Sequence, residues 1–285
     1  MQAAIRHIQS ELQGLYPETE IKSFSNLIIE KLTGFSRTEI ILNKNTLFSD
    51  DQRHVIESFI EKLKINIPIQ YILGETEFFG LPFNVNESVL IPRPETEELV
   101  DWIRQEADRN SHLHILDIGT GSGCIAISLK HEFPNAQVEA FDISEEALQT
   151  AASNARRNNL DVTFTKTDIL NVPDFDRKWD IIVSNPPYVT EQEKDEILPN
   201  VLDNEPHLAL FVPDNDPLLF YRRIAHFALK HLQPEGRLYF EINREFGKET
   251  VDLLTEAGFR DVELRKDISG NDRMVRAVSS CQFCF

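Results

Sequence analysis

The sequence predicts a two-part protein: a small helical bundle at the start, joined by a β-hairpin linker to a larger α/β domain built on a mainly parallel sheet. Three observations lead there. Apolar residues recur at helical spacing through the first seventy positions, and strand-like and helix-like stretches alternate from about residue 95 onward. Between them, residues 76–92 hold short β-rich pieces punctuated by Gly80, Pro82 and Pro92. The expected divisions are residues 1–74 for the bundle, 75–94 for the linker and 95–285 for the main domain. A chain of 285 residues can bury a core in each of two such parts.

In the bundle, Ile5, Ile8, Leu12 and Leu15 share a helical face, as do Phe24, Leu27, Ile28 and Leu32, with Gly34 as a stop. Val55, Ile56, Phe59, Ile60 and Leu63 repeat the pattern after a Ser49/Asp50 cap signal. The run 91–98, with Pro94 ahead of Glu95, Glu97 and Glu98, reads either as a helix start or as the rim of an active site. Strands are expected at 113–118, 138–143, 162–166, 179–184 and 237–242, with helices at 144–158 and 217–232. Residues 259–264 and 274–278 should close the sheet as an antiparallel hairpin.

Composition narrows the function. Hydrophobic residues make up 41% and charged residues 27%, the balance of an ordinary soluble domain rather than a disordered chain. No apolar run approaches the roughly 18 residues of a membrane span, and the first fifteen residues lack the unbroken apolar stretch of an export signal. With three cysteines, the expected location is the cytoplasm, off the membrane. Cys281 and Cys284 form a C-x-x-C pair with no second ligand pair to face it, and His112 and His114 have no partner cluster in sequence. No metal is expected. The formal charge is -18, and it is unevenly placed: residues 1–75 carry 8 basic and 10 acidic side chains, the remainder 21 and 37. Such a field opposes phosphate backbones and favours a protein or small-molecule substrate over direct nucleic-acid binding.

Three signals carry chemistry. Asp117-Ile-Gly119-Thr120-Gly121-Ser122-Gly123 sits where the first strand of the main domain ends and a helix begins, so glycines allow close backbone approach and the helix start offers free N–H groups. The spacing is G-x-G-x-G and not the dinucleotide G-x-G-x-x-G, which indicates a nucleotide-like cofactor without naming it. Asp142, after the second strand, can accept hydrogen bonds from both hydroxyls of a ribose, or cap the helix that follows. Asp168, after the third, can accept from an adenine amine.

The third signal is Asn185-Pro186-Pro187-Tyr188 at the carboxyl end of the fourth strand. The Asn185 side-chain oxygen and the Pro186 main-chain oxygen can accept two hydrogen bonds from one planar NH2 group, with Tyr188 stacked on it. An amide nitrogen is a poor nucleophile, so fixing its two hydrogens orients it for methyl transfer from a sulfonium by positioning, with no metal or covalent nucleophile. An adenine amine would fit the same acceptors, and a catalytically silent relative would keep the fold. A nicotinamide-dependent dehydrogenase explains the glycines and Asp142 but leaves Asn185 to Tyr188 without a role.

The chain closely resembles the PrmC/HemK methyltransferases. The resemblance rests on residues 68–74, 89–97, 115–128, Asn185 to Val189, Glu205-Pro206 with Ala209-Leu210, and Lys266-Asp267 with Gly270 to Arg273. It implies a class I methyltransferase domain, Rossmann-like with a seven-stranded mainly parallel sheet, and a helical domain that helps grip the substrate. That substrate is the glutamine of the Gly-Gly-Gln loop in peptide chain release factors. The resemblance implies S-adenosylmethionine over Gly119, Thr120, Gly121, Ser122 and Gly123, with S-adenosylhomocysteine as product. Asp142 goes to the ribose, and Asp168 with Ile169 to the adenine. Asn185 lies against both cofactor and substrate, and Asn185, Pro186, Pro187 and Tyr188 hold the glutamine. Ile169 stands where relatives often carry an aromatic residue, and Asn243-Arg-Glu-Phe stands where a glycine and a glutamine are expected after Glu241. A monomer meeting one large protein partner is the expected state.

Overall fold

The structure, a computed structural model, describes residues 1–172 and 175–280, so the Cys281/Cys284 pair lies outside the described residues. Its contacts divide into two units: Met1–Gly74 with Leu198–Asn204, and the rest of the described chain.

The first unit holds α1 (Gln2–Leu12), α2 (Glu18–Thr33), α3 (Arg37–Leu42), α4 (Asp50–Lys64) and α5 (Ile69–Leu73). Ser36 with Glu39 and Ser49 with Gln52 form reciprocal capping boxes that start α3 and α4, and Gly34 at φ 69° ends α2. Ile8, Leu12, Phe24, Ile28, Ile56, Ile60 and Leu63 close into one core. Leu15 departs from the expected stripe. It lies past the end of α1, beyond Gly14 at φ 83°, and is 55% exposed.

In the second unit the chain runs through β1 (Glu75–Phe78), β2 (Leu81–Asn84), α6 (Pro94–Glu106), β3 (His114–Ile118), α7 (Cys124–Glu132), β4 (Gln137–Asp142), α8 (Glu145–Arg157), β5 (Thr163–Lys166), β6 (Trp179–Ser184) and β7 (Val189–Thr190). After α9 (Pro199–Leu202), which belongs to the first unit, come α10 (His207–Leu210), β8 (Phe211–Val212), α11 (Leu219–His231), β9 (Leu232–Glu241), α12 (Gly247–Glu256), β10 (Arg260–Lys266) and β11 (Asp272–Val278). One seven-stranded sheet has the order β10-β11-β9-β6-β3-β4-β5. Its central strands pair in parallel, and β11 pairs antiparallel to both β9 and β10.

Alternation along the strands feeds two cores. Ile115, Ile181, Val183 and Tyr239 face α6 and α7, while Leu116, Ile182, Leu238 and Phe240 face α11 and α12. The β1–β2 hairpin adds Phe78 and Phe83 to the first of these. Strand β9 begins five positions before the expected residue 237. Trp179 pairs with Leu232 and Ile181 already with Arg237, so residues 233–236 loop out, with Glu235 at φ 66°. The short β7–β8 pair carried no periodic signal.

Sheet order places the site. From β3 the chain steps outward through β4 to β5, then returns to lay β6 on the other flank of β3. That reversal opens a crevice at the carboxyl ends of β3 and β6, the position where open α/β sheets bind ligands.

Candidate active site

The segment after β3 is held open by hydrogen bonds to its neighbour. Gly119 and Thr120 donate their main-chain N–H groups to Phe141 O at 2.8 and 3.0 Å, and Gly119, Gly121 and Gly123 all adopt left-handed backbone at φ 75°, 54° and 82°. At Gly123 a Cβ would lie 2.9 Å from Ile127 Cδ1 and 3.1 Å from Ala151 Cβ, so the loop packs directly on α7 and α8. Buried Asn154 of α8 donates to Ser122 O at 2.9 Å. Helix α7 starts at Cys124 with no side-chain cap from Gly123, and its Ala126 N–H is directed at the Asp117 carboxyl.

Carboxylates support this loop. Thr120 Oγ1 donates to Asp117 Oδ2 at 2.6 Å, and Asp117 Oδ1 has no partner. Burial pushes the Asp117 carboxyl up to about 7, with the charge of Asp142 adding to the rise. Asp142 accepts from Gly121 N at 2.8 Å and from Ser144 N at 2.9 Å, so it braces the glycine loop and the start of α8 together. Its carboxyl is also raised, by burial. Asp168 folds a turn after β5, accepting from Leu170 N at 2.9 Å and Asn171 Nδ2 at 2.7 Å.

These strand ends enclose a cavity of about 420 Å³. Gly119, Thr120, Gly121, Ser122, Asp142, Asp168, Ile169, Asn185, Pro186 and Pro187 line it, with Leu208 and Phe220 as apolar wall. Gly123 is not in the lining; it is the close-packed residue behind it. Tyr188 is not in the lining either. Its hydroxyl donates to Glu241 Oε1 at 3.2 Å and its ring packs against the core under α11 and α12.

The β6–β9 register, Ser184 opposite Phe240, brings Asn185 to the level of Glu241. Thr96, in the first turn of α6, lies between them: its hydroxyl donates to Glu241 Oε2 at 2.6 Å and accepts from Asn185 Nδ2 at 3.3 Å. An ionised carboxylate only accepts, so the Thr96 hydrogen is committed to Glu241 and its lone pair must meet a donor. That fixes the Asn185 amide with nitrogen toward Thr96. Turned over, two acceptors would face each other at a cost of about 1–3 kcal/mol. Glu241 is 1% exposed, and burial raises its carboxyl while Arg273 and the Thr96 hydrogen bond oppose the rise.

Neighbouring groups brace the rim. Asn243 donates Nδ2 to Tyr188 O at 3.0 Å and to Glu193 Oε1 at 3.0 Å. The Glu205 side chain, 1% exposed, pairs with Arg93 at 2.5 Å and accepts from Ile91 N at 3.2 Å, which ties the segment carrying Pro206 and Leu208 to the cavity wall. Residues 91–98, read as a helix start or an active-site rim, are both: α6 begins at Pro94, and Pro92, Arg93 and Thr96 line the cavity. Sequence reasoning assigned no role to Thr96 individually, to Glu241 or to Glu205. A lone acidic residue closing the apolar strand 238–241, at the same sheet edge as Asn185, was the available signal for Glu241.

Comparison with known proteins now decides the family. Residues 3–74 match the PrmC N-terminal domain and residues 96–208 the methyltransferase small domain. A release factor glutamine methyltransferase from Flavobacterium psychrophilum is 53% identical over 268 residues, covering 93% of this chain and 94% of that one. Another, from Bacteroides thetaiotaomicron, is 48% identical over 272 residues, covering 95% and 97%. The chain belongs to the release factor glutamine methyltransferase family. A methyltransferase from Pyrococcus furiosus shares the fold, with a TM-score of 0.53 at 17% identity over 81% of this chain and all of that one.

The cavity suits the S-adenosylmethionine on which this family's chemistry depends. Ser122 Oγ is buried in its lining without a hydrogen-bond partner, Cys124 and Ile125 at the uncapped start of α7 line it too, and the Asp142 carboxylate stands one strand away for a diol. Apolar Ile169, Leu208 and Phe220 supply wall for a flat ring.

Proposed function

We propose that this chain transfers a methyl group from S-adenosylmethionine to the side-chain amide nitrogen of the glutamine in the Gly-Gly-Gln motif of peptide chain release factors. The observation that carries this reading is the Asn185 amide, held by its nitrogen so that its oxygen is left to accept at the edge of a cofactor-sized cavity. Asn185 Oδ1 and Pro186 O take the two hydrogens of the glutamine amide, and Pro187 shapes the rim. The bound cofactor supplies an electrophilic methyl on a sulfonium. Gly119 to Ser122 hold it from below, with Gly123 packing the loop from behind, Asp142 takes the ribose, and Asp168 with Ile169 the adenine. Tyr188, bonded to Glu241 and half-buried, supports the tetrad, and we place it beside the incoming glutamine.

Two acceptors and an excluded, apolar wall position a weak nucleophile. Orientation of this kind is worth up to roughly 7–11 kcal/mol of barrier. An adenine amine is the competing acceptor of the methyl, and a net charge of -18 disfavours the phosphate contacts that substrate requires. We assign residues 1–74 to gripping the release factor, residues 75–94 to the linker and residues 95–285 to catalysis, in a monomer acting in the cytoplasm. Exposed Ile41, Leu42, Leu47 and Ile65 are apolar side chains that the bundle offers to a protein partner. Among the described residues, no helix is long and apolar enough to cross a membrane.

The test is mass spectrometry of unmodified release factor, with a DNA duplex in parallel, after incubation with the protein and S-adenosylmethionine. One methyl on the Gly-Gly-Gln glutamine, lost with Asn185→Ala, is expected. Methylated adenine would replace the reading with its competitor.

A further inference from the structure

Asn185 can accept the substrate amide only if its own amide faces the right way, and nothing in Asn185 itself decides that. Its oxygen and nitrogen are nearly the same size, and the side chain is only partly buried. The decision is made two residues away. Glu241 is fully enclosed at the end of β9, and in its ionised form, which Arg273 favours, it can only accept. Thr96 spends its one hydrogen there at 2.6 Å, and so presents a lone pair to Asn185 Nδ2 at 3.3 Å. Thr96 itself is 2% exposed, which leaves its hydroxyl little room to rotate away. The same carboxylate accepts from the Tyr188 hydroxyl at 3.2 Å, so one buried group holds Tyr188 directly and Asn185 through Thr96.

From this arrangement the geometry points to Thr96 and Glu241 as positioning residues for methyl transfer: a hydrogen-bond relay that locks the Asn185 amide with its oxygen toward the substrate. The inference rests on the proposed glutamine methylation. The relay adds a second level of preorganisation, because the acceptor is oriented before substrate arrives and no torsion of Asn185 is left to freeze in the transition state. It also explains why a threonine, and not merely a helix-starting residue, stands in the first turn of α6.

The experiment compares wild type with Thr96→Val, Thr96→Ser and Asn185→Ala in steady-state methylation of full release factor, with S-adenosylmethionine affinity measured by calorimetry. Thr96→Val keeps the shape and removes the hydroxyl. It should lower kcat by roughly tenfold to a hundredfold with KM and cofactor Kd within about threefold, and Thr96→Ser should recover most of the loss. Wild-type kcat in Thr96→Val overturns the relay, as does equal loss in Thr96→Ser, since the methyl would then be what matters. Should Thr96→Val not fold, Glu241→Gln and Glu241→Met replace it. The amide oxygen of the first can still accept from Thr96, the second offers only a weak thioether acceptor, and equal turnover in the two overturns the proposal.

A substrate-free readout separates the relay from the reaction. The Asn185 side-chain NH2 resonances are those missing from the Asn185→Ala spectrum, and one hydrogen should exchange slowly in wild type and quickly in Thr96→Val. If the relay is seen there but release factor is not methylated, the functional reading fails while the geometry stands. If both hydrogens exchange fast in wild type, the relay fails.

Discussion

Replacing Gly123 by alanine should damage the fold more than the other loop glycines, because two independent penalties meet there. Its backbone lies at φ +82°, where an L side chain costs roughly 1–2 kcal/mol. The new methyl would also sit 2.9 Å from Ile127 Cδ1, 3.1 Å from Ala151 Cβ and 3.3 Å from Ala151 Cα, and the last of these is backbone that cannot rotate aside. Overpacking of this order costs a further ~1–3 kcal/mol. Together these lower Tm by roughly 5–15 °C in a domain of this size. Gly121→Ala is the control. At φ +54° with no atom within 4 Å it carries the backbone penalty alone, so Tm falls by only a few degrees. Gly121 lines the cavity and Gly123 does not, so Gly121→Ala should weaken S-adenosylmethionine binding more per degree of Tm lost. Thermal melts and calorimetry on the two variants read both effects. Gly123→Ala melting with wild type, or Gly121→Ala melting below Gly123→Ala, would refute the close-packing argument.

Asp142→Ala removes the acceptor for Gly121 N and Ser144 N as well as the proposed ribose contact, so cofactor Kd should rise roughly tenfold or more by calorimetry, with folding retained. Asn185→Ala should leave cofactor Kd within a few-fold and cut turnover heavily in the same methylation assay. An acidic enzyme approaching the basic surface expected of a ribosome-binding protein should be steered by charge. Its kcat/KM should therefore fall as sodium chloride is raised from about 50 to 300 mM, and a flat salt response would remove steering from the account.

What was legible in the sequence is what local patterns dictate. The alternation of strands and helices, Gly34 as a helix stop and the glycine loop after β3 depend on spacing within one segment, and they stand where the patterns put them. The 185–188 segment was legible because consecutive prolines at a strand end leave few structural alternatives. Long-range partners were not. Thr96 and Glu241 are 145 positions apart, and their contact exists only because α6 packs beside β9 and the β6–β9 register sets 241 level with 185. The same holds for Arg93 and Glu205. Tyr188 shows the converse: its residue type suggested stacking on a substrate, while burial and Glu241 gave its hydroxyl a fixed internal partner. The start of β9 was misplaced because residues 233–236 loop out, a feature with no periodicity to read.

Asp117 and Glu241 are buried and Asp142 half-buried at the carboxyl edge of the sheet, and desolvation raises all three carboxyls above their ordinary values. The sign of the consequence runs against ordinary acid denaturation. A carboxyl whose folded pKa is raised takes up its proton more readily in the folded state, so its ionisation destabilises the fold, and stability is lost as pH rises between the unfolded and folded values. For Asp117, moved from 3.8 to about 7, the loss develops between about pH 4 and 7 and reaches up to about 4 kcal/mol. Glu106 and Asp267, held below their ordinary values by their hydrogen-bond and arginine partners, push the other way, so the wild-type profile alone decides nothing. Asp117→Asn isolates the effect: its amide oxygen still accepts from Thr120, and every other group is common to both proteins. The stability of Asp117→Asn minus that of wild type, from urea melts, should grow from about pH 4 to pH 7 and then level off. A difference that is flat or shrinks over that range would mean Asp117 is not buried as a strained carboxylate. It would then hold its charge beneath the glycine loop at neutral pH and accept from Thr120 as an ionised carboxylate.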